Sequence, residues 1–270
     1  GQHGAADPNV KYIIFTTTDA TAINGIQFGD NWQPHDDNDC TVYVPSEDLI
    51  SVYNGVKNFN PRGYDIDAGI YAKCGDIFAQ FTCNNEDNTV TLVECLDDDG
   101  TLVVPATIHI NWVTYNVTKI AKLDVREKVE GLDFSQATNL TTIDGHAFEH
   151  WSLVGASCNW DFSNTRLESI GEKAFDNAMA VGEGKNKISL IKFPKTIKSI
   201  GWEAFGQDGN ADPKTAHIEF TTTDLNDISH IQFGSKWQPH DDDNCIVYVP
   251  TEDLISVYNG VENFNPNNYT

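Results

Sequence analysis

The stretch "LIKFPKTIKSIGWEAF", Leu190–Phe205, carries two patterns side by side. The first is a tetrad, "IKFP" at Ile191–Pro194: an apolar residue, any residue, Phe, then a small residue or Pro. Alternation puts its Ile and Phe on one face of a strand. The second is a six-residue pattern opening on Ile and closing on Phe, "IGWEAF" at Ile200–Phe205. Both recur along the chain. The tetrad returns as "LDFS" (Leu132–Ser135), "WDFS" (Trp160–Ser163) and "IEFT" (Ile218–Thr221), with a last version, "VYVP", at Val247–Pro250. The second pattern returns as "IDGHAF" (Ile143–Phe148) and "IGEKAF" (Ile170–Phe175). Degenerate versions stand at Ile23–Phe28, Ile120–Val125 and Ile228–Phe233.

The tetrads start 28, 31 and 27 residues apart, and the anchors Ile120, Ile143, Ile170, Ile200 and Ile228 lie 23, 27, 30 and 28 apart. Two interleaved patterns sharing one period predict a stacked coil. A single repeat cannot bury its own apolar face, so each lies on the next and the core runs along the stack. Strands of successive coils then pair in parallel, about 4.8 Å apart. Gly171 and Gly201 mark a place that needs either positive φ or close backbone approach.

A longer repeat contains the shorter one. Residues 1–65 align without a gap to residues 206–270 at a constant offset of 205, and 36 of the 51 positions from Phe15/Phe220 to Asp65/Thr270 are identical. The acidic loops "WQPHDDNDC" (Trp32–Cys40) and "WQPHDDDNC" (Trp237–Cys245) are part of this block. Duplication accounts for their recurrence without a metal. Adjacent aspartates in a loop point in different directions, and hard Asp oxygens and a soft thiolate suit different metals. No metal site and no cofactor is expected. "LDDDGT" (96–101) lacks the spacing of a calcium loop and is read as a hairpin turn at Asp99-Gly100. Trp32, Trp237, Trp112, Trp151, Trp160 and Trp202 are read as packing residues. Most cysteines are read as small buried apolar residues.

Boundaries follow from where the repeats stop. Residues 1–66 are the last repeat and closing segment of a preceding duplicated unit. Residues 67–118 form a β-hairpin cap, with "IFAQFTC" and "TVTLVEC" flanking the turn "NNEDN". Residues 119–250 hold the repeats and 251–270 a C-terminal helical cap. Ser46 and Thr251 stand where helix N-caps belong, with acidic residues in the first turn. The fold class is therefore an α/β solenoid with a parallel strand ladder, short helical or 3-10 turns and a cap at each end.

Composition narrows function. The 17 Lys and Arg against 40 Asp and Glu give a net charge of −23. Such a chain repels phosphate backbones and anionic lipid surfaces, so nucleic acid is excluded as a partner. No apolar run is long enough for direct membrane insertion. The chain opens at Gly1 without Met or an apolar leader, which marks it as a processed or trimmed form. No GxSxG elbow, phosphate loop or HExxH helix is present, so no enzyme is expected.

The motifs "IGEKAF", "IGWEAF", "LIKFPKTIKSIG" and the closing "VYVP" resemble BspA-like leucine-rich repeats, which implies a right-handed coil. The stretch "TVTLVECLDDDGTLVVPATIHINWVTYNVTKI" is similar to the hairpin segment that precedes such arrays. The pattern departs from the family at Asp144, which replaces a Gly, and at Trp151, Ala178 and Asp208, where Cys is common. The resemblance implies a surface or secreted protein that binds other proteins, with host or neighbouring-cell surface proteins as partners. The outward tetrad residues Asp133, Asp161, Lys192, Glu219 and Tyr248 are the candidate contact face. A structural spacer and a glycan-binding protein are the alternatives.

Overall fold

The computed structural model describes residues 10–34, 40–84, 87–97, 99–110, 113–124, 128–153, 157–178, 187–206, 214–215, 217–239 and 245–270. The acidic stretches His35–Asp39 and His240–Asn244, with Trp112 and Asp208, lie outside them. The chain divides into two compact units. The first holds Gly1–Ala72 with Gln80–Thr82 and His109–Thr114; the second holds the rest.

The second unit is a parallel-strand solenoid with two ladders. In the long ladder Asp99–Val103 pairs with Lys128–Asp133, matching Leu102 to Leu132. Further along, Ser157–Asp161 pairs with Lys187–Phe193, which pairs with His217–Phe220, which pairs with Ile246–Tyr248. Trp160, Ile191, Ile218 and Val247 follow one another in register. Among the described residues, Lys128–Asp133 is joined to the segment before Ser157–Asp161 by the isolated parallel bridge Val129–Leu153. The short ladder runs Thr89–Cys95, Val113–Ile120, Thr142–Ile143, Ser169–Ile170, Ser199–Ile200 and Gln232–Phe233. It stacks Leu92, Ile120, Ile143, Ile170, Ile200 and Phe233.

Between the ladders lie two columns of rings. Phe148, Phe175 and Phe205 stack at 5.1 and 5.2 Å between centroids, with interplanar angles of 22° and 3°. The tetrad rings Phe134, Phe162, Phe193 and Phe220 follow at 4.7, 6.4 and 4.9 Å. All seven are buried, and full burial of each ring contributes about 1.5–3 kcal/mol. The glycines between ladder and column are fixed by close approach. A Cβ on Gly171 would sit 2.1 Å from Gly145 N, and one on Gly201 2.4 Å from Glu172 N. Asp144 takes the same place in an earlier coil, where its carboxylate reaches Lys119 Nζ at 2.8 Å. Positive φ falls elsewhere, three residues after each anchor, on His146, Lys173, Glu203 and Lys236. The N–H groups of the first three donate to carbonyls of the next coil, at Glu172, Trp202 and Ser235, which holds non-glycine residues in the left-handed region.

Two expectations need correction. Asp99-Gly100 is not a hairpin turn. It opens a strand of the long ladder, so "LVVP" (Leu102–Pro105) is a further tetrad and the stack begins inside the segment read as a cap. Gly100 is needed there because its φ is +89° and a Cβ would lie 2.5 Å from Asp76 Cβ. Ile228 is not a ladder anchor. It is buried in the helix Leu225–His230, which Asp224 caps by accepting from the N–H groups of Asn226 and Asp227. The partner of Ile200 is Phe233, so the last coil reads "FGSKWQ". The C-terminal segment forms the helical turns Glu252–Leu254 and Ile255–Asn259. Thr270 O accepts from Val247 N at 2.8 Å. Thr251 occupies the N-cap position, but its side chain makes no capping bond; its carbonyl accepts from Leu254 N instead.

The hairpin expected around "NNEDN" is present. Leu96 N donates to Phe78 O at 2.8 Å, and Asn84 Nδ2 reaches Thr89 Oγ1 at 3.1 Å across the turn.

The first unit repeats the last coils of the second. Tyr12–Ile14, Thr41–Val44 and Asp65–Ala68 form a three-stranded parallel sheet. The helices Ala20–Asn24 and Glu47–Asn54 flank it, and Ile23, Val42, Val44, Leu49, Tyr53 and Phe59 form the buried cluster. Here the ladder visibly continues past the helix, because Asp65–Ala68 adds a strand beyond it. Ser46, like Thr251, sits at the N-cap without a side-chain bond.

Candidate functional site

The outward positions of the long ladder come together as the tetrads require. Asp161 stands opposite Lys192, Lys192 opposite Glu219, and Glu219 opposite Tyr248, on adjacent parallel strands. Asp133 stands opposite Val103 on the strand before it. Asp133, Asp161, Lys192 and Glu219 are half-buried along the strand row, and Tyr248 is exposed.

These side chains are not all available. Lys192 Nζ lies 2.7 Å from Glu219 Oε1. That hydrogen bond holds the ammonium pKa above its ordinary value, burial opposes it, and Asp161 adds a smaller attraction. Asp133 and Asp161 each accept from a backbone N–H two residues on, Ser135 and Ser163, at 2.8 Å. They therefore turn the chain at the end of each strand, a role their short carboxylates suit. The row thus carries three carboxylates and one lysine, with Tyr248 at its end beside His217 at 5.5 Å between rings.

A second polar row follows the left-handed positions. Lys173 Nζ sits 3.1 Å from Asp176 and 3.2 Å from Glu203, and Lys236 reaches Glu203 at 3.7 Å. Both carboxylates are buried, and the bond to Asp176 is the main cause that raises the Lys173 pKa. Buried carboxylates already paired in this way hold coils together and offer no open coordination. On the flank, a groove of about 850 Å³ is lined by Glu168, Lys195, Lys198, Asp224, Asp227 and His230. Lys198 is tied to Glu168 at 2.7 Å, so charges of both signs alternate there and no single-sign field is focused.

The "WQP" tripeptides have a structural task that sequence reading only half found. Trp237 is fully buried against Phe193, Phe205, Phe220 and Phe233, and its indole N–H donates to Asn263 O at 2.9 Å. Gln238 is also fully buried. Its amide donates to Asn265 Oδ1 and accepts from Asn267 N, fixing the closing "NFNP" segment. Gln33 makes the same bonds to Asn60 and Arg62. The signal was the pairing of "WQP" with "NFNP" in both copies. Cys40 and Cys245 are buried, as is Cys74, whose thiol burial pushes up to about 12. Trp151 and Trp160 are buried as expected. Trp202 corrects the packing reading: it is 42% exposed, with Lys173 Nζ 5.1 Å from its ring centroid.

No protein-family model matches the chain, and no curated protein matches it. Among solved structures, the crystal structure of the pneumococcal vaccine antigen PcpA is similar at 15% identity and a TM-score of 0.38, over 67% of this chain and 50% of that one. A leucine rich cell surface protein from Faecalibacterium prausnitzii A2-165 is similar at 13% identity and a TM-score of 0.25, over 69% and 56%. The chain spans about half the length of these proteins. At such scores neither likeness bears on function.

Proposed function

We propose that the protein is a non-enzymatic binding module, secreted or held at a cell surface, whose long ladder presents a contact face to a protein partner. The observation that carries this reading is the register of Asp161, Lys192, Glu219 and Tyr248 on adjacent strands. Stiff rows of this kind suit extended protein contacts. With Lys192 neutralised by Glu219, the charge left over is that of Asp133 and Asp161, on a chain of net charge −23. A basic surface on the partner complements it. The surface location follows from the resemblance of the repeats to BspA-like proteins.

The test must separate charge from turn formation. Asp133→Asn with Asp161→Asn keeps an oxygen that accepts from Ser135 and Ser163 while removing two charges. In a pull-down against extracellular-matrix proteins, bound material is expected to fall several-fold, with the chain's melting temperature held. Undiminished capture removes this face from the proposal. The spacer reading is favoured by the 205-residue duplication and by how far the face satisfies itself; it expects no capture by either form.

A further inference from the structure

Two grooves on the flank of the second unit share Glu168, Lys195 and Thr196, so they form one furrow across three coils. They hold about 850 and about 840 Å³. The floor is threonine. Thr141, Thr196, Thr221 and Thr222 donate their hydroxyls to carbonyls of the coil before, at Thr118, Leu167, Phe193 and Lys195. Each spent donor leaves an oxygen that still accepts. The charges sort by position along the furrow. Arg166 and Lys195, on two successive coils, are exposed, and among the described residues neither forms an ion pair. Lys192 is tied to Glu219, and Lys198, in the middle, to Glu168. Asp224 and Asp227 follow on the next coil, both exposed. Asp224 accepts from two backbone N–H groups, and the Asp227 carboxylate has no partner among the described residues. The furrow is therefore positive at one end, neutral in the middle and negative at the other.

We infer that this furrow binds an extended segment of a protein partner that carries an acidic residue and, three positions on, a basic one. From the coil of Arg166 to that of Asp227 is two strand spacings, about 10 Å, which three steps of extended chain at about 3.3 Å each cover. The segment's carboxylate meets Arg166 and Lys195, and its cation meets Asp227 and Asp224. Its backbone N–H groups donate to the threonine oxygens between. A polyanion matches only the first end, because the aspartates repel it at the second. Among the described lining residues there is no Phe, Tyr or Trp for a sugar ring to stack on. The furrow uses none of the free charges of the proposed contact face, so either site can fail without the other.

The experiment is equilibrium dialysis of the full chain, at low ionic strength, with the end-capped peptide Gly-Ser-Glu-Thr-Ser-Lys-Ser-Gly. Two control peptides replace its Lys by Glu or its Glu by Lys. The mixed peptide is expected to bind at least fivefold more tightly than either control. Arg166→Glu with Lys195→Glu should move the preference to the all-basic peptide, and Asp227→Lys to the all-acidic one. All three positions are exposed, so the melting temperature is expected to hold. Absence of saturable binding overturns the site. So does a parent chain that prefers a single-sign peptide: all-acidic marks a plain anion site, all-basic the diffuse charge of an acidic chain. A preference that the substitutions leave unmoved overturns it as well.

Discussion

The two copies of the 205-offset block place nearly the same residues in opposite surroundings. In the first copy Phe15, Phe28 and Trp32 are only half-buried. In the second copy Phe193 and Phe205 pack against Trp237. The back of the first copy is closed by Asp65–Ala68, so Val42 and Val44 have no exposure. The second copy differs at both ends. Phe220, Phe233 and Trp237 are buried under preceding coils, while Val247 and Val249 are half-buried and Tyr248 is exposed. Identical side chains therefore contribute different amounts to stability, and the neighbour along the stack decides how much.

The contrast can be broken most sharply at the tryptophans. Trp237→Ala should cost about 3–5 kcal/mol, as for a fully buried aromatic. Trp32→Ala should cost about half of that, since Phe15 and Phe28 contact it without enclosing it. Urea unfolding of the two variants measures both, and equal losses would mean that Trp32 is enclosed as fully as Trp237. Next come the glycines. A Cβ on Gly234 would lie 2.3 Å from Trp202 N, whereas one on Gly29 meets nothing within 4 Å. Gly234→Ala should lose about 3 kcal/mol through overlap with backbone that cannot give way, and Gly29→Ala about 0.5 kcal/mol or less. Similar melting temperatures for the pair would contradict the close stacking of coils. The smallest effect at neutral pH is that of the tyrosines. Burial raises the phenol pKa of Tyr258 from 10 to about 12, against a weaker opposing hydrogen bond to Thr222. The folded state prefers the neutral phenol, so this contribution is whole below pH 10 and is lost as pH rises towards 12. Tyr53 is raised in the same direction, also by burial. Tyr258→Phe should flatten the alkaline limb of stability for the second unit. An unchanged limb would show that another group sets it.

Much of the fold was legible because the repeats impose one environment many times. Phe148, Phe175 and Phe205 form one column, and the tetrads follow one another in register, since each apolar position packs on its equivalent in the next coil. The legible part of the candidate face was its register. What its carboxylates do was hidden, because the bonds from Ser135 and Ser163 to Asp133 and Asp161 depend on how each strand ends in space. Asp99-Gly100 was misread for a related reason. The pair has the chemistry of a tight turn, and only the approach of Asp76 shows that Gly100 serves a parallel strand. Ile228 was misread because a helix residue and a ladder residue are equally apolar when both face the core. Gln33 and Gln238 look like surface residues until the closing asparagines are seen to satisfy them.

By itself the sequence determined the period, the apolar columns and the equivalence of the two copies, because burial by like neighbours demands a pattern that repeats. Only the tertiary structure decided which rings are enclosed, which glycines are crowded and which polar groups are committed. Those properties belong to contacts between coils, and the same residues hold them in one copy and lack them in the other.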